Sequence, residues 1–133
     1  MNTSSSSRSL RALAAALLLG SIGGLAGCGL LDAGTHANVV AWIQGTLEVN
    51  VGVDYEKVFV ATQAAIKDLQ FVPIETKKDA LVARLVARTA LDKKVEITVT
   101  KAGDRVTKIE IHIGVVGDQD MSQLVLDRIK RGL

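Results

Sequence analysis

The sequence predicts an α+β domain in which two helices pack on one face of an antiparallel sheet, in the order β-α-β-β-β-β-α. Four stretches alternate apolar and polar residues with a period of two, which is typical of strands with one buried face. Two other stretches repeat apolar residues every three or four positions, which is typical of amphipathic helices. Packing both helices on the aliphatic face of the sheet buries all of these stripes, so we expect a two-layer domain.

The first strand and the first helix are predicted on either side of Asp54. Alternation runs over residues 43–53, and its apolar phase comprises Ile43, Gly45, Leu47, Val49, Val51 and Val53. Asp54 is a favourable N-cap because its carboxylate can accept a hydrogen bond from an amide of the first helical turn. The apolar stripe of the helix then extends from Tyr55 to Leu69.

Four further strands are predicted before a closing helix. Residues 71–77 contain Pro73, which cannot donate to a ladder, so we expect a short edge strand there. Three alternating strands follow, at residues 81–88, 95–100 and 108–113. The breaks between them are short and contain Asp or Gly, which favours hairpin turns. Asp120 followed by Gln123 resembles a capping box and predicts the start of the second helix.

The N-terminus matches a lipoprotein signal. A lipobox, formed by Leu25, Ala26, Gly27 and Cys28, follows an apolar segment at residues 12–24 and a polar segment that contains Arg8 and Arg11. We therefore expect residues 1–27 to be a cleaved signal peptide, residues 28–38 to be a lipidated N-terminus and tether, and residues 39–133 to be a single domain. An uncleaved membrane helix within residues 12–31, which lack charge, is the alternative.

Lipidation of Cys28 predicts an exported, membrane-anchored protein whose first partner is the lipid bilayer. Gly29, rather than Asp, follows the cysteine, which favours the outer membrane with the domain facing the periplasm. Trp42, at the junction of tether and domain, is expected either to lie in the lipid interface or simply to pack against the domain.

The charge and cysteine content of the mature chain exclude several classes of function. Removing residues 1–27 removes Arg8 and Arg11 from the 16 basic residues and none of the 14 acidic ones, so the net charge falls from +2 to zero. A neutral chain gives no reason to expect a nucleic acid as partner. Cys28 is the only cysteine, so its lipidation leaves no free thiol for a metal site, a redox pair or a nucleophile.

The remaining residue types do not form a recognisable catalytic or metal-binding pattern. His112 is placed on the polar side of a strand, and the other histidine, His36, is in the tether. Asp118 and Asp120 lack the spacing of an oxygen-ligand loop and fit the entry of a helix better. Ser122 is not on a strand–Ser–helix elbow. We therefore expect neither an enzyme nor a bound cofactor or metal.

A set of charged side chains is predicted on the polar face of the sheet. It comprises Arg84, Arg88, Glu96, Lys108 and Glu110. Hairpin register is expected to place Glu96 between Arg88 and Glu110, which would give cross-strand ion pairs. This face is either a solvated, charge-balanced surface or an interaction face for another envelope protein.

Several motifs of the mature chain resemble a family of small bacterial lipoproteins known only as domain of unknown function 3568. Besides the lipobox, they are a Gly-Xaa-Leu strand (residues 45–47), a Lys-Lys-Asp-Ala-Leu block (77–81), a Lys-Lys-Val strand start (93–95) and a Gly-Val-Val-Gly-Asp stretch (114–118). The resemblance implies a lipid-anchored α+β module and assigns no activity.

The function expected from these observations is that of a non-catalytic envelope adaptor. The alternative is a protein that binds an apolar, lipid-like ligand between its helices and its sheet. Small residues on the inward face, Gly45, Ala83 and Ala87, would leave room for such a ligand. An enclosed apolar pocket of roughly 300 Å³ or more would favour the ligand, whereas a filled core would favour the adaptor.

Overall fold

The computed structural model describes residues 40–133, which form six strands and two helices. The strands are β1 (Val40–Ile43), β2 (Thr46–Val51), β3 (Val72–Lys78), β4 (Val82–Arg88), β5 (Lys94–Gly103) and β6 (Val106–Ile113), and the helices are α1 (Tyr55–Asp68) and α2 (Gln119–Arg131). The predicted signal peptide, Cys28 and the tether lie outside the described residues.

The α+β class is confirmed. The strands form one sheet in the order β1-β2-β6-β5-β4-β3, and all neighbours are antiparallel. After β2 the chain crosses through α1 to the far edge, and the meander from β3 to β6 returns to pair with β2. Helix α2 packs over β2 and β6, and α1 packs over β3 to β6.

The predicted first strand is instead a hairpin, so the order is β-β-α-β-β-β-β-α. Gln44 (φ 47°) and Gly45 (φ 80°) form a two-residue turn, and Ile43 pairs with Thr46. Positive φ at both central residues is what a type I′ hairpin turn requires. Gly45 thus belongs to the turn rather than to the apolar face. Ile43 lies on the same side of the sheet as Thr46, opposite to the side of Leu47.

The core lies between the helices and one face of the sheet. The buried strand residues on this face are Leu47, Val49, Val51, Ala83, Leu85, Ala87, Val95, Ile97, Val99, Thr107, Ile109, Ile111 and Ile113. They alternate along β2, β4, β5 and β6 as predicted. Ala83 and Ala87, where room for a ligand was expected, are completely buried within this cluster.

Helix α1 begins at the predicted residue, whereas helix α2 does not. Asp54 is the N-cap of α1, but its side chain makes no capping hydrogen bond. The N-cap of α2 is Asp118 rather than Asp120, and its Oδ1 accepts a hydrogen bond of 3.1 Å from the amide of Met121. The predicted capping residue was therefore wrong by two positions.

The two edges of the sheet differ. Strand β3 is an edge strand, as Pro73 predicts, and its register with β4 shifts between Pro73 and Glu75. A bulge, a proline and two terminal lysines discourage further strand pairing at this edge. The opposite edge is β1, whose four residues, Val-Ala-Trp-Ile, carry no charge.

Replacing Ile111 with Asp should unfold the domain, whereas His112→Ala should be tolerated. Ile111 is completely buried and lies opposite Leu47 and Ile97 on the two neighbouring strands. A carboxylate there would have no partner, which should cost more than about 3 kcal/mol. Thermal melts followed by circular dichroism test this, and a larger loss for His112→Ala would contradict the assigned faces of β6.

Candidate functional site

The face of the sheet opposite the helices carries a network of ion pairs. We define the ionic face by four acidic and four basic residues, which are Glu48, Glu75, Glu96, Glu110, Lys77, Arg84, Lys94 and Lys108. They project from β2 to β6, at positions that alternate with the core residues. In the part of the chain that the structure describes, both helices pack on the other side.

The first cluster of the ionic face is centred on Glu96 in β5. Its Oε1 accepts from Arg84 Nε at 2.7 Å and lies 2.6 Å from Arg84 Nη2, while Lys94 Nζ is 2.9 Å from its Oε2. These hydrogen bonds, that of Arg84 foremost, lower the pKa of Glu96 to about 2. Arg84 also lies 3.7 Å from Glu75 on the edge strand, so the cluster joins β3, β4 and β5.

The second cluster is centred on Lys108 in β6. Its Nζ is 2.9 Å from Glu110 and 3.0 Å from Glu48, which lie opposite each other on β6 and β2. The hydrogen bonds with Glu110 and then Glu48 raise the pKa of Lys108. One ammonium therefore holds two neighbouring carboxylates that would otherwise repel each other.

His112 lies between the two clusters. Its Nδ1 is 3.0 Å from the carbonyl oxygen of Gly45 and 3.3 Å from the hydroxyl of Thr46. A carbonyl oxygen can only accept, so the contact with Gly45 is a hydrogen bond in the tautomer that carries its proton on Nδ1, and this tautomer leaves Nε2 unprotonated. An open hollow of about 300 Å³ is lined by His112, Thr46, Thr98, Glu96 and Glu110.

Four of the five residues predicted for the interaction face belong to the ionic face, and Arg88 does not join its clusters. Arg88 is on the same side of the sheet but pairs with Asp92 in its own hairpin turn, at 2.7 Å. The predicted register was wrong, because Glu96 lies opposite Val86 and His112 rather than between Arg88 and Glu110.

Sequence reasoning missed three members of the two clusters. Glu48 shares the polar phase of β2, so its position could have been found from alternation alone. Lys94 lies two residues before Glu96 in β5, so alternation places both side chains on the same face of the sheet. Glu75 reaches Arg84 only because the bulge in β3 shifts its register, and the sequence pattern contains no sign of that shift.

A separate apolar groove lies between α1 and the edge strand β3. It has a volume of about 450 Å³ and is open to solvent along one side. The apolar part of its wall consists of Ile66, Phe71, Val72, Pro73 and Leu85. The groove is thus at the margin of the domain rather than in the middle of the core.

Residues 40–133 contain neither a candidate metal site nor a helix that could span a membrane. No group of three or more His, Cys, Asp or Glu side chains in this range is arranged to hold a metal ion. Neither described helix has the length and apolar character needed to cross a membrane.

Comparison with protein families identifies a family for this chain. A family model described as a protein of unknown function (DUF3568) matches residues 11–132. This match confirms the family that the sequence motifs suggested. No curated protein matches the chain.

Substitution of Arg84 by Gln should alter the acid stability of the domain. The pKa of Glu96 is lowered from 4.5 to about 2 on folding, so its contribution is present above pH 4.5 and is lost as the pH falls through 2. Because the pair is partly exposed, we expect Arg84→Gln to cost about 1 kcal/mol at pH 7 and to make stability less dependent on pH over this window.

Urea unfolding of the wild type, Arg84→Gln and Arg88→Gln between pH 2 and pH 7 measures this effect. Arg88→Gln is the matched control, because its partner Asp92 is 81% exposed. An Arg84→Gln profile that has the same shape as the wild-type profile would show that Arg84 does not set the pKa of Glu96.

Proposed function

The chain belongs to the DUF3568 family, which has no assigned function, and we propose that it is a membrane-anchored lipoprotein of the bacterial envelope that acts through protein contacts rather than catalysis. The observation that carries the anchoring is the lipobox, Leu25 to Cys28, with its apolar and basic flanks. In this proposal residues 1–27 are cleaved, residues 28–38 form the lipidated tether, and Gly29 directs the protein to the outer membrane, facing the periplasm.

The ionic face is the surface proposed to contact the partner. Its side chains are held in fixed positions by their neighbours, since each acid of the two clusters is within 3.7 Å of a base. Fixed charges of both signs favour a partner with the complementary pattern and repel others. Val86 lies on the same side of the sheet but is only 7% exposed, so the surface presented to a partner consists of the charged side chains.

The pairing of the acids supports a non-catalytic role for this face. General acid–base catalysis needs a group that is free to exchange a proton with the substrate. Glu96 is engaged by Arg84 and Lys94, and Glu110 is engaged by Lys108. We therefore propose binding, rather than proton transfer, as the task of these residues.

Binding of an apolar ligand is the second candidate function, and the groove between α1 and β3 favours it. Its volume of about 450 Å³ would accommodate part of an acyl chain. Its position at the sheet edge would allow the ligand to enter from the side. Native mass spectrometry of the protein extracted from its own membranes separates the candidates, because a bound lipid supports the second and a bound protein the first.

Replacing Cys28 with Ser should abolish lipid attachment, because the thioether requires the sulfur. Several acyl chains, at about 0.8 kcal/mol per buried methylene, make attachment practically irreversible. Metabolic labelling with a palmitate analogue measures the modification. Gly29→Ala is a suitable control, since it leaves the lipobox intact. Equal labelling of Cys28→Ser and wild type would rule out this anchor.

Exchanging the charges of one ion pair tests the ionic face without breaking the pair. Arg84→Glu combined with Glu96→Arg keeps opposite charges in contact but places like charges side by side at positions 75 and 84 and at positions 94 and 96, so stability should fall by about 1 to 2 kcal/mol, which a melting curve measures. The exchange presents the wrong pattern to a docked partner and should greatly reduce crosslinking to it in membranes.

The matched control exchanges Glu56 and Lys78, a pair 2.9 Å apart that lies away from the ionic face. Glu56→Lys combined with Lys78→Glu should retain the crosslinked partners. If both exchanges retain them, the ionic face is only a solvated surface and the adaptor proposal must be moved to another part of the domain.

A further inference from the structure

Two consecutive valines in the loop between β6 and α2 are almost entirely exposed. Val115 is 96% exposed and Val116 is 85% exposed. We call residues 114–117, Gly-Val-Val-Gly, the valine loop. Single exposed apolar residues are common on soluble proteins, but a larger exposed apolar patch generally marks an interaction site.

The valine loop has a glycine at each end, and one of them contacts the β1–β2 turn. Gly114 and Gly117 have φ values of 78° and 92°, which residues with a Cβ rarely adopt. Gly117 also packs directly on the backbone of Gly45 in the β1–β2 turn, and a Cβ on either residue would collide with the other segment. The backbone conformation of the loop and its contact with the β1–β2 hairpin therefore fix the two valines in an exposed position.

Other exposed apolar side chains lie at the same end of the sheet. Ile43, just before the β1–β2 turn, is 48% exposed, and Leu91, in the β4–β5 turn, is 80% exposed. Trp42, the only tryptophan of the chain, is 36% exposed on β1. The antiparallel register brings both turns to the end at which β6 leads into the valine loop.

The charges at this end are paired with one another. Arg88 lies 2.7 Å from Asp92, and Lys93 lies 2.8 Å from Asp118. The two pairs carry no net charge, so they do not repel a surface of anionic phosphates, and the contact with a bilayer falls to the exposed apolar side chains.

We propose that this end of the sheet docks on the surface of a phospholipid bilayer, with Val115 and Val116 inserted deepest. This inference rests on the proposed lipid anchor. The eleven residues between Cys28 and Val40 span at most about 40 Å when extended, so the domain stays close to the headgroups. The tether enters the domain at β1, which carries Trp42 and leads directly into the turn that contacts the valine loop. Tryptophan is enriched at the membrane interface, as this placement requires.

Site-specific probes on the full-length, acylated protein in vesicles of phosphatidylethanolamine and phosphatidylglycerol test this orientation. Cys28 is the only cysteine, and in the lipidated protein a thioether blocks its sulfur, so Val116→Cys provides a single free thiol for a polarity-sensitive fluorophore. Leu81→Cys is the matched control, because Leu81 is 59% exposed in the turn at the opposite end of the sheet. Brominated lipids should quench the probe at position 116 at least about threefold more than the probe at position 81.

Two further measurements separate the possible failures. Flotation of the vesicles reports anchoring: a protein that does not float overturns both the lipid anchor and the docking. A protein that floats but shows equal quenching at positions 116 and 81 overturns the docking alone. Energy transfer between labelled copies, with no quenching by lipid, would assign the valine loop to a second copy of the chain and would also overturn it.

Val115→Ser combined with Val116→Ser supplies an independent readout that needs no label. If the valine loop holds this end in the interface, quenching of Trp42 by brominated lipids should fall in the double variant while flotation is unchanged. Unaltered quenching of Trp42 would show that the valines do not hold the domain against the bilayer.

Discussion

Within residues 40–133 the helices cover only one face of the sheet, and this constraint determines the character of the other face. Beneath α1 and α2 the strands carry almost only aliphatic side chains, because these lose water on folding. On the ionic face the side chains of the same strands are exposed to water, and many of them are charged. Those charges lie side by side on the sheet, and each has an oppositely charged side chain nearby, on the same strand or on the neighbouring one.

Arg84 and Lys108 neutralise the acids around them in two different ways. Arg84 approaches one oxygen of Glu96 with two nitrogens, and its planar group lies across the strands. Lys108 holds two carboxylates with a single ammonium group. The aliphatic stems of such side chains also cover apolar surface, which accounts for the burial of Val86 on a face without helices. The ionic face therefore has a buried apolar residue close to the backbone and charged groups at its surface.

Alternation predicted the faces of β4, β5 and β6 but could not predict their register. A slip of two residues leaves every side chain on its own face, so the apolar pattern is equally satisfied by several pairings. This is why Glu96 was expected beside Arg88 and lies beside Val86 instead. The β1–β2 turn was missed for a related reason. Gly45 fits the apolar phase of a strand as well as it fits a turn, and Gln-Gly is a weaker turn signal than Asn-Gly. Asp118 and Asp120 are both good caps, and only the path of the chain after Gly117 decides between them.

The pairing of β2 with β6 has a consequence for the order in which the molecule is made. Thr46 and His112, which pair across these strands, are 66 residues apart. When the β1–β2 hairpin has been synthesised, β6, which pairs with β2 in the finished sheet, has not yet been made. An isolated hairpin is only marginally stable in water. The sheet therefore cannot close around β2 until β6 has been synthesised. Such late closure would suit the export that we propose, in which the chain crosses a membrane before it folds.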